Sequence, residues 1–449
     1  MILISPCSNS SNHKNQVYPF LHPLRLMSEG SKLCSIFRGD GVYLFDQNEK
    51  RYIDGISGCW NVPFGYGNSK IKNAIIEQLD LIAYINMYQF SNPTTVEYCK
   101  NLLSIVPDVF EKVMLACTGS EAVEIAIKLC RKYYAVLGKQ NKKEFVALDL
   151  SYHGTTFGAM SASGMDMGYA MDYNPMVPGF NFIKAPFYRS GNEEGYLVEA
   201  MHSLDELFQQ KNELLAGIII EPILGSGGII PLPEAFIKRI RELCDIYDVL
   251  LVFDEVATGF GRTGNFFAFD YYRVVPDIIC LSKGVNNGYL PLAANVIGKK
   301  ISDLLSNTNS IVEHFSTQNG NPLACASGNA TIDLLKENGL IESVRTKGGM
   351  LKRELLSLLK DHPNFCELRG CGLMIGIDLV KDKKTNETLK YEELMTTVDR
   401  LFQNGLIVYP FFLERITTGF SLFPPLMIDE TEVNSIVGII RRTFSRLHI

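Results

Sequence analysis

The stretch Val249-Leu-Leu-Val-Phe253-Asp254-Glu255-Val256-Ala257-Thr258-Gly259-Phe260-Gly261-Arg262 sets five apolar residues directly before a carboxylate and a glycine-rich turn. Five consecutive apolar residues fit a strand buried on both faces, as in a parallel sheet covered by helices. Asp254 then falls at the strand's end, where burial without a cationic partner is costly. A metal ion or a protonated heterocyclic nitrogen would compensate that charge. No His/Asp set with recognised metal spacing lies nearby, which disfavours a metal. Twenty-nine positions on, Ile278-Ile-Cys-Leu281 repeats the pattern and ends in Ser282-Lys283-Gly284. A lone lysine after a strand is usually a solvated charge, but one held in apolar surroundings can serve as a carbonyl-reactive amine.

Working outward, the runs Val113-Met-Leu-Ala-Cys117, Phe145-Val-Ala-Leu148 and Ala216-Gly-Ile-Ile-Ile220 read as further strands of one sheet. A helical pattern intervenes at Ala122, Ile125, Ala126, Leu129, Cys130 and Tyr133. Alternating strands and helices predict an α/β fold with a mainly parallel sheet flanked by helices. In such sheets ligands bind beyond the carboxyl ends of the strands. Thr118-Gly-Ser-Glu-Ala122 stands at one such end and opens a helix. Gly119 and Ser120 there suit an anion, although the same residues also serve as a plain N-cap. Tyr152-His153-Gly154 stands at another end, where Tyr152 could stack on a flat ligand or simply pack in its loop. His153 is expected to act as a structural hydrogen-bonder. An anion loop, an aromatic shelf, a buried acid and a lysine at the ends of one sheet together describe a pocket for pyridoxal phosphate.

The flanks suggest a second unit. Tyr43-Leu-Phe-Asp46 and Arg51-Tyr-Ile-Asp54 read as a small hairpin, and Lys70 to Leu81 as a helix. From Thr331 a single long helical pattern (Ile332, Leu335, Leu340, Val344, Leu351, Leu355, Leu358) leads into the strand-like Leu373–Leu379. A helix, a strand near Leu406–Val408 and a closing helix from Glu430 complete an α+β unit. The expected division is a flexible polar arm over 1–15, an N-terminal contribution to the small domain over 16–69, a large domain over 70–330 and a C-terminal small domain over 331–449.

Composition narrows the function classes. The 449-residue chain is 46% hydrophobic and 20% charged, as ordinary globular proteins are. Its net charge of −6 gives no general attraction for nucleic acid or anionic lipid. No apolar run approaches the roughly 18 residues of a membrane span. Eleven cysteines stand singly, without a C-x2-C pair. An odd count with no secretory leader predicts reduced thiols and a cytoplasmic setting. The chain has neither a G-x-x-x-x-G-K-[ST] loop nor a G-x-G-x-x-G after its first strand, which counts against a nucleotide-binding enzyme.

At these motifs the sequence resembles the class III (ω-type) aminotransferases of pyridoxal-phosphate fold type I. The resemblance runs in order from Tyr43–Asp46 and Arg51–Gly55, through Thr118–Ala122, Tyr152–Gly154, Glu221-Pro222, Asp254–Arg262, Ser282–Gly284 and Gly320–Ala324, to Arg369–Met374. It implies that Lys283 forms the internal Schiff base and later shuttles the proton, and that Asp254 pairs with the pyridinium nitrogen. Gly119 and Ser120 would cradle the phosphate, Tyr152 and Val256 would sandwich the ring, and Glu221 would support it. Thr317 would reach the phosphate of a neighbouring subunit, implying a homodimer with shared sites. A small-molecule amino donor and a carbonyl acceptor are the implied partners, used in ping-pong order.

Departures from the family pattern bear on substrate. Members that use glutamate carry an arginine clamp and a gating glutamate at positions that correspond here to Ser421 and Ser226. The central region resembles the diaminopelargonate synthase branch most. That branch has paired tryptophans where this chain has Cys59-Trp60, and an Arg-Pro-Phe where this chain has Tyr409-Pro410-Phe411. Trp60 and Tyr409 are therefore candidate substrate contacts; Arg415 is a candidate carboxylate partner from a nearby loop, although surface placement is the stronger expectation for it. A terminal, amine-type or bulky biosynthetic substrate is the expectation. A racemase or decarboxylase on the same scaffold is the alternative, and a cofactor-binding sensor without catalysis a more distant one.

Overall fold

A computed structural model describes residues 34–165, 170–187 and 193–445; the proposed arm over 1–15 lies outside them. The centre is a seven-stranded sheet in the order Phe110–Ala116, Ala293–Gly298, Ile278–Leu281, Leu250–Asp254, Leu215–Ile220, Glu144–Leu148, Phe180–Ile183. Every pairing is parallel except the two made by Ala293–Gly298, so this is a mainly parallel mixed sheet. The three strands at its middle are buried at every position, which is why their sequences read as unbroken apolar runs. Asp254 closes its strand and pairs with Cys280, so the carboxylate belongs to the sheet.

The helix Gly119–Val136 buries Ala122, Ile125, Ala126, Leu129, Cys130 and Tyr133 against this sheet, the face its periodicity predicts. Ile125 and Leu129, both fully buried, each contribute about 1.5–3 kcal/mol. Thr118 caps the helix by accepting from Glu121 N–H at 3.1 Å.

Both ends of the chain build the second unit. The hairpin Tyr43–Asp46/Arg51–Asp54 joins Ile36–Asp40 and, in parallel, the C-terminal strand Leu406–Ile407 in one sheet. Another sheet takes Phe365–Cys371, Met374–Asp382, Thr417–Leu422 and Tyr409–Leu413 in that order. The long helical pattern after Thr331 is in fact two helices, Pro322–Leu335 and Leu340–Leu359. Asn338-Gly339 breaks it: Gly339 takes φ +84°, a left-handed conformation open to glycine. Leu335 and Leu340 stand five residues apart, off the three- and four-residue spacing of one helical face. The division drawn at residue 330 falls inside the first of these helices.

Among the described residues no helix is long and apolar enough to cross a membrane.

Candidate active site

Five strand ends open onto one edge of the central sheet. Asp254 is almost fully buried; its Oδ1 accepts the Val256 N–H at 3.1 Å and its Oδ2 lies 2.8 Å from His153 Nδ1. His153 is thus the structural hydrogen-bonder expected, and the structure supplies its partner. One strand, Leu215–Ile220, lies between theirs in the sheet and 101 residues separate the two in the chain, so no local spacing could have paired them.

Glu221 follows the strand between them. Its two oxygens accept Tyr152 N–H at 2.9 Å and Gly225 N–H at 3.0 Å. Burial pushes its carboxyl up to about 7, with His153 opposing and Asp254 adding to the shift. Tyr152 is half-buried, and Glu221 holds its backbone.

At the helix N-terminus, the N–H groups of Gly119 and Ser120 have no intrahelical partner and stand at the positive end of the macrodipole. A Cβ at Gly119 would come within 3.0 Å of Val256 and 3.5 Å of Ser282, so glycine allows this close approach. The Ser120 hydroxyl accepts Thr155 N–H at 3.1 Å and so ties the anion loop to the Tyr152–Gly154 loop. Lys283 opens a short 3-10 turn with φ +46°, a strained conformation for a lysine. Its Nζ lies 4.5 Å from the Trp60 ring centroid.

Trp60 is buried in a separate apolar cluster with Ile223, Ile229, Met374 and Phe423, against which Tyr409 packs. Its indole stacks on Phe423 at 4.6 Å and meets Tyr409 edge-on at 5.3 Å. Arg415 is not brought to this cluster. It is exposed in the turn between Tyr409–Leu413 and Thr417–Leu422, at the opposite end of that hairpin from Tyr409. Roughly 13 Å of strand separates them, at about 3.3 Å per residue. Thr317 is likewise exposed, its carbonyl accepting the Tyr84 hydroxyl at 3.1 Å.

The donor set fits a phosphorylated pyridine aldehyde. A glycine cradle at a helix N-terminus suits the phosphate, a buried carboxylate backed by a histidine suits a ring N–H, and Lys283 supplies the amine. The unpartnered Nε2 of the buried His153 leaves the Asp254–His153 pair free to extend its hydrogen-bond chain. No group of three or more His, Cys, Asp or Glu that could hold a metal occurs among the described residues.

Comparison with known proteins bears on this geometry directly. The family model "Aminotransferase class-III" matches residues 26–444. This chain belongs to the class III aminotransferases. It is 34% identical over 432 residues to an adenosylmethionine-8-amino-7-oxononanoate aminotransferase of Staphylococcus aureus, covering 94% of each chain. It is 30% identical over 431 residues to a putrescine–pyruvate aminotransferase of Pseudomonas aeruginosa, covering 94% of this chain and 92% of the other. Its fold matches an amine transaminase from an uncultivated Pseudomonas species in its PLP-bound form, with TM-score 0.90 and 30% identity over 96% of this chain and 100% of the other.

The protein is accordingly a pyridoxal-phosphate-dependent aminotransferase of fold type I. These relatives are aminotransferases, and the racemase and decarboxylase readings find no support among them. The sequence reading of this aminotransferase missed the turn that carries Trp60. Its one signal was the pair of glycines, Gly55 and Gly58, flanking Ile56-Ser57 shortly before the tryptophan.

Proposed function

We propose that this aminotransferase takes amine-type, largely apolar substrates held by shape, without an arginine clamp on a carboxylate. The observation that carries the reading is Ser421. It is fully buried where glutamate-using members place arginine, and its hydroxyl donates to the Tyr409 carbonyl at 3.2 Å. Buried Ser226 at the gating position fits the same reading, since either charge alone would be buried and unpaired. The arginines of this region, buried Arg262 and partly buried Arg369, are committed elsewhere. Arg262 donates to the Leu373 and Pro424 carbonyls, and Arg369 to the Gly228 carbonyl, Asp378 and Thr417. The adenosylmethionine-dependent and putrescine-dependent relatives also favour a donor that is an amine or a large metabolite.

In this reading Lys283 holds the cofactor and moves the proton at the substrate carbon, while Asp254 faces the ring nitrogen with His153 fixing its orientation. Gly119 and Ser120 receive the phosphate, Tyr152 and Val256 flank the ring, and Glu221 anchors the Tyr152 backbone. Bound pyridoxal phosphate supplies the electron sink that makes the amine-bearing carbon acidic. Trp60 and Tyr409 line the mouth. Thr317 serves the site of a second copy in a homodimer. Its exposed loop, with Ile311 and Phe315 beside Tyr88, is apolar enough for such an interface. The ten described cysteines are free thiols, which suits the cytoplasm.

Purified enzyme would be assayed with glutamate, alanine, S-adenosylmethionine and simple amines as donors, beside Lys283→Ala. Turnover with amines or S-adenosylmethionine is expected, as is a loss of about 10³-fold or more with loss of the lysine-dependent visible band in the variant. Efficient turnover with glutamate alone would overturn the clamp-free reading.

A further inference from the structure

The segment Ser57-Gly-Cys-Trp60 runs through the left-handed region, with φ +47°, +54°, +66° and +68° in turn. Glycine accepts this readily, but each of the three other residues costs about 1–2 kcal/mol there. Surroundings that over-determine the turn must therefore hold it. Asp54, fully buried at the end of the strand Arg51–Asp54, does much of the holding. Its Oδ1 accepts Ile56 N–H at 3.1 Å, while its Oδ2 accepts both Gly58 N–H and the Tyr66 hydroxyl at 2.7 Å. The Ser57 hydroxyl donates to the Phe423 carbonyl and receives Arg262 Nη2 at 3.2 Å, which fastens the turn to the large domain's glycine-rich loop. The turn ends in Trp60, whose ring faces Lys283 Nζ and lies 3.0 Å from where a Cβ on Gly225 would stand.

We propose that Asp54 is a positioning residue of this enzyme: its buried carboxylate holds the left-handed turn 57–60 and thereby sets Trp60 against Lys283 at the substrate mouth. The inference rests on the reading that Lys283 carries the cofactor and that Trp60 lines the mouth. It goes further by naming what fixes the wall. An ordinary core carboxylate would stabilise the fold and leave the mouth's selectivity unchanged. A positioning carboxylate makes selectivity depend on it.

Trp60 is the only tryptophan in the chain, so indole emission reports this one wall. The test uses holoenzyme carrying Asp54→Asn or Tyr66→Phe. In the first, an amide NH₂ replaces an oxygen that accepts two donors; in the second, one donor is removed and the carboxylate remains. Asp54→Asn should shift the emission to the red and raise acrylamide quenching while the cofactor's visible band persists. KM for 1-phenylethylamine should rise roughly tenfold, while kcat for isopropylamine falls by less than about threefold. Tyr66→Phe should give a smaller shift in the same sense, and it decides the matter if Asp54→Asn does not fold. Unchanged emission and quenching in the folded variants would overturn the proposal, as would equal losses with both amines. Should the wild type turn over neither amine, the functional reading fails, and the emission and quenching of the two variants still decide this one.

Discussion

At the sheet edge, charge and hydrogen bonds set each group: Asp254 against His153, Glu221 between two backbone N–H groups, and a helix N-terminus opening onto Gly119. At the proposed mouth, rings and a strained turn do the work: Trp60 on Phe423, Tyr409 at its edge, and buried Ser421 on the Tyr409 carbonyl. The first region must stabilise charge on one fixed ring, so it needs preorganised dipoles and carboxylates. The second must accept a substrate by outline, and buried charge there would tax every substrate lacking a counter-charge. Changes at the edge should therefore lower the rate for all substrates, and changes at the mouth should re-rank them.

The largest effect that tests this contrast is Asp254→Asn. The amide keeps the shape and removes the charge proposed to face the ring nitrogen, so kcat should fall about 10²–10³-fold for every donor alike. Single-turnover kinetics on several amines would measure this. A loss confined to one substrate would blur the distinction between the two regions.

Placing a cation at the mouth comes next. Ser421→Arg buries a guanidinium without a partner and should cost about 3–5 kcal/mol, read by denaturant unfolding. Ser421 pairs with Gly376, which packs against Gly228 in the same loop as Ser226. Adding Ser226→Glu should therefore recover 1 kcal/mol or more, roughly, beyond additivity. The double variant should also gain activity with glutamate. Strict additivity would mean that the two positions do not face one pocket.

Much of the edge was legible because its determinants are local. Apolar runs mark the buried strands, and Asp254, Lys283 and Gly119 stand within a few residues of their ends. The mouth was not, because its contacts join residues distant in the chain: Ser57 to Phe423, Arg262 to Pro424, Gly225 beside Trp60. Arg415 lies on the surface, as the sequence expectation favoured. Its sequence distance from Tyr409 is short, yet the hairpin puts them at opposite ends. The break at Asn338-Gly339 escaped for a different reason, because two apolar patterns were joined across the five-residue step from Leu335 to Leu340.

Glu221 offers a smaller, pH-dependent probe of the edge. Its carboxyl ordinarily titrates near 4.5 and is raised to about 7 in the folded protein by burial. Between those values the folded chain binds more protons than the unfolded one, so stability falls as pH rises through the window. Glu255 is raised to about 7 for the same reason and adds to the slope. In the apoenzyme, Glu221→Gln should flatten the fall in unfolding free energy between pH 5 and 8 by at most about 3 kcal/mol. An unchanged slope would mean that Glu221 ionises as freely as an exposed carboxylate.

The smallest expected change decides whether the edge belongs to one chain or to two. On the proposed reading Thr317→Ala removes one hydrogen bond to the phosphate, which should weaken cofactor binding roughly tenfold. Mixed dimers make the result sharper. If Thr317 serves its neighbour, a dimer of one Lys283→Ala subunit and one Thr317→Ala subunit contains one wholly intact site, because the intact lysine of the second faces the intact threonine of the first. Such hybrids should hold cofactor at that site with wild-type affinity and show about half the wild-type activity per dimer. If Thr317 serves its own chain, the only site with a lysine lacks its threonine, and the hybrids keep the weakened affinity. Titrating the cofactor into purified hybrids separates the two outcomes without knowledge of the natural substrate.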